Sequence, residues 1–195
     1  LPSYTTLGFR SNAGVLVNKE NDLKYIRSDH FIAGIEHQLK KNIVFTVEGF
    51  YKKYSNYPFS LRDSISLANN RTEFGVLGAE PVKSISEGRA YGVEFLNRTR
   101  YKNFNLVLAY TYVISEFEDK NGKYIPSSWD SRHILTVTTS QNLKNDWSIG
   151  AKWRLVGGLP YTPYDLDKSA IVEAWDANNG VYVDYNQLNT LRYSP

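Results

Sequence analysis

The sequence of 195 residues lacks several features that would point to common classes of protein. It contains no cysteine, which excludes disulfide bonds, thiolate metal ligands and a cysteine nucleophile. It has no apolar run of roughly eighteen residues, so we predict no transmembrane helix. The net charge of +3 is small and dispersed, which argues against a nucleic-acid partner. The three histidines lack zinc-ligand spacing, and we predict neither a metal site nor a cofactor.

The two ends of the chain also lack expected signals. The sequence begins at Leu1 without a methionine, and no signal peptide follows. At the other end, residues 192–195 close neither a strand nor a helix. We therefore expect residues 1–195 to be a fragment of a longer protein, whose export signal would lie upstream.

The sequence is rich in aromatic residues that alternate with other residue types. It has 15 tyrosines, 9 phenylalanines and 4 tryptophans, and tyrosine and tryptophan favour positions where one end of the side chain is apolar and the other is wet. Bulky and small or polar residues alternate with a period of two, which indicates strands and no long helix. The predicted strands cover residues 30–38, 43–52, 89–98, 104–112, 132–139 and 147–155.

The connections between these strands alternate between short and long. Short polar turns are predicted near residues 40–42, 101–103 and 142–146, and long irregular segments over residues 54–86, 116–131 and 157–180. Strands of about nine to eleven residues span a bilayer, and transmembrane barrels have short turns at one end and long loops at the other. We therefore predict an all-β fold, an antiparallel transmembrane β-barrel with about six strands in this chain.

One face of the predicted strands carries charged residues, which we expect to face the barrel lumen. Burying these charges in the packed interior of a small barrel would be costly, so the pattern favours a wide, water-filled barrel. The alternative is a soluble antiparallel sandwich whose charged face is solvated. The predicted lumen-facing charges are Glu36, Glu48, Glu94, Lys152 and Arg154.

Five segments resemble TonB-dependent outer-membrane receptors, in the order in which that family has them. Residues 87–95 resemble the family's E-G-x-A-x-G-x-E strand, and residues 108–112 resemble its A-Y-T-Y strand end. Residues 126–133 resemble its P…D-x-R-H segment, and residues 157–163 resemble its G-x-P-Y-T-P loop entry. Residues 22–30 resemble an earlier L-K…S-x-H strand entry. The overall character is similar to receptors of Bacteroidetes.

The resemblance implies a fold and a function for the parent protein. Such receptors are 22-stranded barrels with an N-terminal plug domain, located in the outer membrane of Gram-negative bacteria. They import a scarce ligand, energised through TonB. The plug domain and the remaining strands are absent from this chain, so no TonB-contacting residue can be assigned. Implied partners are outer-membrane lipid, TonB, a nutrient ligand and, as a further candidate, a surface lipoprotein.

The long loops contain aromatic residues that we select as candidate ligand contacts. Aromatic rings stack on sugars, aromatic chelators and haem alike, so the ligand class stays open between an iron chelate, haem, cobalamin, a glycan and a peptide. For any single ring, packing within the loop is an equally good interpretation. The candidates are Tyr57, Phe59, Phe74, Tyr124, Trp129, Tyr161, Tyr164 and Trp175.

Two other functions compete with import. A soluble β-sandwich with exposed aromatics would be a carbohydrate-binding module. An outer-membrane hydrolase would need a nucleophile and a base, and Ser128, Asp130 and His133 lie close together in sequence. A triad needs geometry rather than proximity in sequence, so a loop-to-strand junction is the better interpretation. We predict no catalytic residue and no enzyme activity.

Overall fold

One antiparallel sheet dominates the fold. The computed structural model describes residues 3–70, 78–178 and 180–195. Six strands follow one another in the order β1, β2, β3, β4, β6, β7, and the short β5 pairs with the end of β4. Their bounds are β1 Arg27–Lys40, β2 Ile43–Ser60, β3 Val82–Tyr101, β4 Phe104–Glu118, β5 Tyr124–Pro126, β6 Arg132–Asn142 and β7 Ser148–Val156.

Small elements flank this sheet. A separate two-stranded pair is formed by β8 Pro160–Tyr161 and β9 Leu191–Arg192. The helices are α1 Tyr4–Leu7, α2 Val17–Glu20, α3 Leu166–Ser169 and α4 Val172–Asn178, with a 3-10 turn at Tyr185–Gln187. These helices have four to seven residues, too few to reveal a helical period in the sequence. Among the described residues, no helix has the length and apolar character needed to cross a bilayer.

The all-β prediction is confirmed, and each of the six predicted strands overlaps a strand of the sheet. The predicted ends are wrong at the long-loop side. β2 continues to Ser60 and β3 begins at Val82, so both ends of the segment predicted as irregular are paired. The reason is a register shift between Tyr54 and Tyr57, where Asn56 has a φ of 59°. Such a bulge interrupts the alternation on which the strand prediction depends.

The short connections all lie at one end of the sheet. β1 and β2 are joined by residues 41–42, β3 and β4 by residues 102–103, and β6 and β7 by residues 143–147. Lys102 adopts a φ of 48°, as tight turns require. The predicted sorting of short turns and long connections to opposite ends is therefore present in the sheet.

The strand register separates an apolar face from a polar face. Residues paired directly across neighbouring strands point to the same side of a sheet. The apolar face includes Phe31, Ile35, Phe45, Val47, Val93, Phe95, Leu106, Leu108, Leu135, Val137, Ile149 and Trp153. The polar face includes Glu36, Thr46, Glu48, Glu94, Arg98, Thr111, Thr136, Thr138, Lys152 and Arg154.

A row of charged residues ends the apolar face on its long-loop side. Asp29, Lys53, Arg89 and Glu116 are direct partners across four consecutive strands. The Arg89 guanidinium lies 2.8 Å from a Glu116 carboxylate oxygen and 4.0 Å from the centroid of the Tyr124 ring. Between this row and the short turns, the apolar-facing positions of the six strands contain no Asp, Glu or Arg, and their one Lys is Lys40 beside the β1–β2 turn.

Most of the buried side chains lie at the long-loop end of the sheet. There, the described parts of residues 3–26, 61–81, 119–131 and 157–195 fold together into what we call the loop-end cap. Asn18 is fully buried, and its amide donates to the carbonyl oxygens of Thr6 (2.7 Å) and Glu80 (2.8 Å). Its side-chain oxygen accepts from the Val82 N–H at 2.8 Å. Long-range hydrogen bonds of this kind, made by an amide side chain, join chain segments in which the sequence shows no strand pattern.

Candidate functional site

The five charged residues predicted to face the lumen share the polar face. Glu48 pairs directly with Glu94, while Lys152 and Arg154 lie opposite Thr138 and Thr136. Glu36 accepts a hydrogen bond from the Thr46 hydroxyl at 3.3 Å and has an ion pair with Arg98 at 3.7 Å. These side chains keep access to solvent, so they avoid the cost of burying a charge.

The eight aromatic residues selected from the sequence do not form one site. Tyr57 and Phe59 lie in β2 rather than in a loop. Phe59 is buried, and the Tyr57 ring packs 4.8 Å from the ring centroid of Phe117. Tyr124 lies in β5 beneath the Arg89 guanidinium. Phe74 lies outside the described residues.

The remaining four aromatic candidates divide into two pairs. Trp129 and Trp175 are exposed, at 54% and 44%, and neither lines the cavity of about 620 Å³ that is described below. Tyr161 and Tyr164 do line that cavity. The structure thus brings together two of the eight selected residues.

This cavity, which we call the loop-end cavity, has a volume of about 620 Å³ within the loop-end cap. Four tyrosines form much of its wall, and the Tyr161 and Tyr193 ring centroids are 4.5 Å apart. Tyr164, Tyr185 and Tyr193 are 54%, 41% and 45% exposed, so they lie at the rim. The amide side chains of Asn69 and Asn189 are buried and lie deeper.

Asn189 fixes the floor of the loop-end cavity. Its amide donates to the carbonyl oxygens of Asn69 at 2.9 Å and Pro126 at 2.7 Å. Its side-chain oxygen accepts from the Thr162 hydroxyl at 3.2 Å, and its backbone N–H donates to the same hydroxyl oxygen at 3.0 Å. Its φ of 53° is a left-handed conformation that asparagine tolerates better than most residues. The floor is therefore held by groups from three segments of the cap.

Asn69 has an unused acceptor beside this floor. The residue is 1% exposed, and its amide nitrogen donates to the Phe117 carbonyl oxygen at 3.3 Å. Its Oδ1 atom has no hydrogen-bond partner within the described part of the chain. An unpaired buried acceptor typically costs about 1–3 kcal/mol, and because the Oδ1 atom is closed to solvent, a solute in the cavity does not reach it.

The phenol of Tyr185 is a hydrogen-bond donor at neutral pH. Burial raises the pKa of Tyr185, and the nearby Asp63 carboxylate raises it further. The hydroxyl therefore stays protonated across the physiological range. It is engaged in a hydrogen bond with the Asp63 side chain.

Ser128, Asp130 and His133 do not form a catalytic triad. The Ser128 hydroxyl donates to the Ala68 carbonyl oxygen at 3.2 Å, and the His133 ring bonds to the Tyr110 hydroxyl at 2.8 Å on the apolar face. The Asp130 carboxylate is fully buried and pairs with Arg132 at 2.9 Å and with Arg192. Each group is engaged with a different partner, so this arrangement does not support a hydrolase.

Sequence reasoning missed most of the residues that line the loop-end cavity, among them Asn69, Tyr185, Asn189 and Tyr193. Tyr185 and Tyr193 belong to residues 181–195, where no alternation indicates a strand. Their tyrosine content is a usable signal, but nothing local connects them to Tyr161. Among the described residues, no group of three or more His, Cys, Asp or Glu side chains could hold a metal ion.

Comparison with known proteins gave one family. The family model described as TonB dependent receptor-like, beta-barrel matches residues 1–194. Among curated proteins, no match to the chain was found.

Proposed function

Because this chain belongs to the TonB-dependent receptor-like β-barrel family, we propose that it is a section of the barrel of an active outer-membrane importer. The family consists of outer-membrane transporters of Gram-negative bacteria that work with TonB. In this proposal the apolar face contacts lipid, and the polar face lines a wide lumen. The TonB-contacting plug lies in another part of the same protein.

The height of the apolar face is the main support for this proposal. Along β4, the apolar positions run from Phe104 to Ile114 before Glu116 ends them. About ten residue steps of 3.4 Å, at a barrel tilt of about 40°, give a height of about 26 Å. The apolar band of outer-membrane barrels is about 25 Å tall. The row of Asp29, Lys53, Arg89 and Glu116 then lies at the outer lipid–water boundary.

The exposure of the apolar face argues against the soluble sandwich. In a sandwich, the apolar face of one sheet packs against a second sheet about 10 Å away. Here Phe31, Ile35 and Trp153 are 64%, 76% and 55% exposed, and the described residues contain no second sheet over them. Lipid covers such a face in a barrel. The exposure of the apolar face disfavours a soluble carbohydrate-binding module for the same reason.

The open edges of the sheet support a larger barrel. β1 and β7 are the outermost strands of the described sheet, and each pairs on one side alone. Unpaired strand edges are costly in lipid, where no water satisfies the backbone. We propose that further strands of the full-length receptor pair with β1 and β7 and close a barrel of the family's size, with residues 1–195 as a fragment of it. The short turns face the periplasm and the loop-end cap faces outward.

An uptake experiment tests this function, and it does not require the ligand to be identified in advance. Two strains are grown in a complex medium, one with the full-length receptor and one from which it has been deleted. The solutes that remain in the medium are then compared by mass spectrometry. We expect at least one solute to be depleted only by cells with the receptor, and depletion to stop when an uncoupler dissipates the proton gradient. If every solute is depleted equally by both strains, the chain is not part of an importer.

A further inference from the structure

We propose that Asn121 is a site of spontaneous covalent modification, at which the side-chain amide is converted to a carboxylate and the β4–β5 hairpin is loosened. Asn121 lies in residues 119–123, which join β4 to β5 and which we call the hairpin tip. Water is the one co-reactant of this conversion, so it does not depend on the import function. Three properties of the hairpin tip support it: the glycine after Asn121, the free amide of Asn121, and the exposure of the tip.

Gly122 leaves the attacking nitrogen unhindered, because it has no side chain. Its φ of 74° lies in the region that favours glycine. Apart from its two chain neighbours, no heavy atom lies within 4 Å of the position that a Cβ atom would occupy. Of the described asparagines, Asn121 alone precedes a glycine. A second Asn-Gly pair in the sequence, residues 179–180, begins outside the described residues.

The side-chain amide of Asn121 is free to approach Gly122. It is exposed and has no hydrogen-bond partner among the described residues. The backbone of the hairpin tip is held instead by the Asp119 carboxylate, whose Oδ1 atom accepts from the Asn121 N–H at 2.8 Å and from the Lys123 N–H at 2.9 Å. The turn thus holds the two residues in place without engaging the reacting amide.

One contact opposes the conversion, the hydrogen bond from the Gly122 N–H to the Asp119 carbonyl oxygen at 3.1 Å. This bond must open before the nitrogen can attack. It lies in an exposed turn, and the strand that follows, β5, has three residues. Exposed backbone hydrogen bonds of this kind open at a low cost in free energy, on timescales far shorter than that of the covalent step. The open turn is therefore available to the reaction.

The conversion proceeds through a cyclic imide. The Gly122 nitrogen loses its proton and forms a bond to Cγ of Asn121, while the bond from Cγ to the side-chain nitrogen breaks and ammonia leaves with that proton. Water then opens the imide at either carbonyl carbon. One opening gives aspartate, and the other gives isoaspartate, in which the main chain runs through Cβ and Cγ. One amide and one water are consumed, and one carboxylic acid and one ammonia are formed, without oxidant or reductant.

Isoaspartate inserts one extra carbon into the main chain of the hairpin tip. The bonds that close the tip span the modified position, from the Asp119 N–H to the Lys123 carbonyl oxygen at 2.9 Å and from the Lys123 N–H to the Asp119 carboxylate. β5 depends on that closure, because it pairs with β4 through three residues alone. Conversion therefore loosens β5, and with it the Tyr124 ring, whose centroid lies 4.0 Å from the Arg89 guanidinium.

Peptide mapping by mass spectrometry tests the conversion in the full-length receptor, incubated in its folded state in detergent at mildly alkaline pH. We expect Asn121 to be converted at least tenfold faster than Asn145, an exposed asparagine in the β6–β7 turn that precedes an aspartate. Gly122→Ala should slow the conversion at least tenfold, because its methyl group hinders the nitrogen. The inference is overturned if either difference is smaller, or if Asn121 is converted only after denaturant unfolds the receptor.

Limited cleavage by trypsin after Lys123 measures the loosening of the hairpin. Aged wild-type receptor should be cleaved there at least threefold faster than fresh receptor. Asn121→Gln is the matched control, since its longer side chain closes a ring far more slowly, and aging should leave its cleavage unchanged. Equal cleavage of fresh and aged wild type, or faster cleavage of aged Asn121→Gln, would overturn the loosening of the hairpin by this conversion.

Discussion

Gly92→Ala will strongly reduce the amount of assembled barrel in the full-length receptor. A Cβ atom at this position would lie 2.0 Å from the backbone carbonyl oxygen of Tyr112 and 3.0 Å from the Phe50 ring. The β4 backbone cannot move aside as a flexible side chain does, so β3 and β4 must separate locally. We expect a loss of about 3 kcal/mol, the upper end for an overpacked site.

The folded fraction can be measured as the heat-modifiable band of outer-membrane extracts, which shifts on boiling. Gly49→Ala is the matched control, since Gly49 also lies inside a strand paired on both sides. Its added Cβ would have Ala33 O, at 4.0 Å, as its nearest neighbour. Gly49→Ala should assemble like the wild type. Equal assembly of both variants would show that the described β3–β4 contact is wrong.

Asp130→Ala will detach part of the loop-end cap while the barrel remains assembled. Asp130 is fully buried, accepts from the Ser115 N–H at 3.0 Å, and pairs with Arg132 and Arg192. The Arg192 guanidinium also donates to the carbonyl oxygens of Asp130 and Gly158. One carboxylate thus joins β4, the start of β6 and the end of β9.

Removing that carboxylate leaves two arginines without their partner. We expect a cost of about 3 kcal/mol, the lower end for breaking a buried pair, because Arg132 and Arg192 keep 29% and 31% exposure. This corresponds to a roughly hundredfold larger open population of the cap. Limited proteolysis of intact outer membranes should therefore cleave the cap much faster.

Asp167→Ala serves as the control for this experiment, because Asp167 is an exposed aspartate of the same cap. The Asp167→Ala variant should be cleaved at the wild-type rate. The heat-modifiable band should persist in Asp130→Ala and in Asp167→Ala. A wild-type cleavage rate for Asp130→Ala would mean that the ion pairs do not hold the cap closed.

Much of the sheet could be predicted from the sequence, because period-two alternation is a local property. The central parts of all six long strands and the three short turns follow from it. The ends of β2 and β3 could not be predicted, since the bulge near Asn56 breaks the alternation while pairing continues. β5 has three residues, too few for any pattern to appear.

The loop-end cap could not be predicted, because its stability depends on contacts between distant residues. Asn18 bonds to residues more than sixty positions away, and Asn189 bonds to the backbone of Asn69, 120 positions away. No local signal reveals such partners. Selecting loop aromatics therefore found Tyr161 and Tyr164 but not Tyr185 and Tyr193, although these four rings line one cavity.

The lipid-facing role of the apolar face can be tested most directly by cysteine labelling. Residues 1–195 contain no cysteine, so single cysteines introduced here report their own surroundings, once any elsewhere in the receptor are replaced. Thr46, Glu94 and Thr111 sample the polar face, and Val47, Phe95 and Tyr110 sample the apolar face. Each would be treated in intact outer membranes with a charged, membrane-impermeant maleimide.

We expect the three polar-face cysteines to react, because water fills the lumen that they face. The three apolar-face cysteines should stay unreacted until denaturant removes the lipid and unfolds the barrel. Reaction would then alternate between neighbouring residues such as Thr46 and Val47. Equal reaction at both faces, or reaction on the apolar face alone, would contradict a barrel section with its apolar face in the membrane.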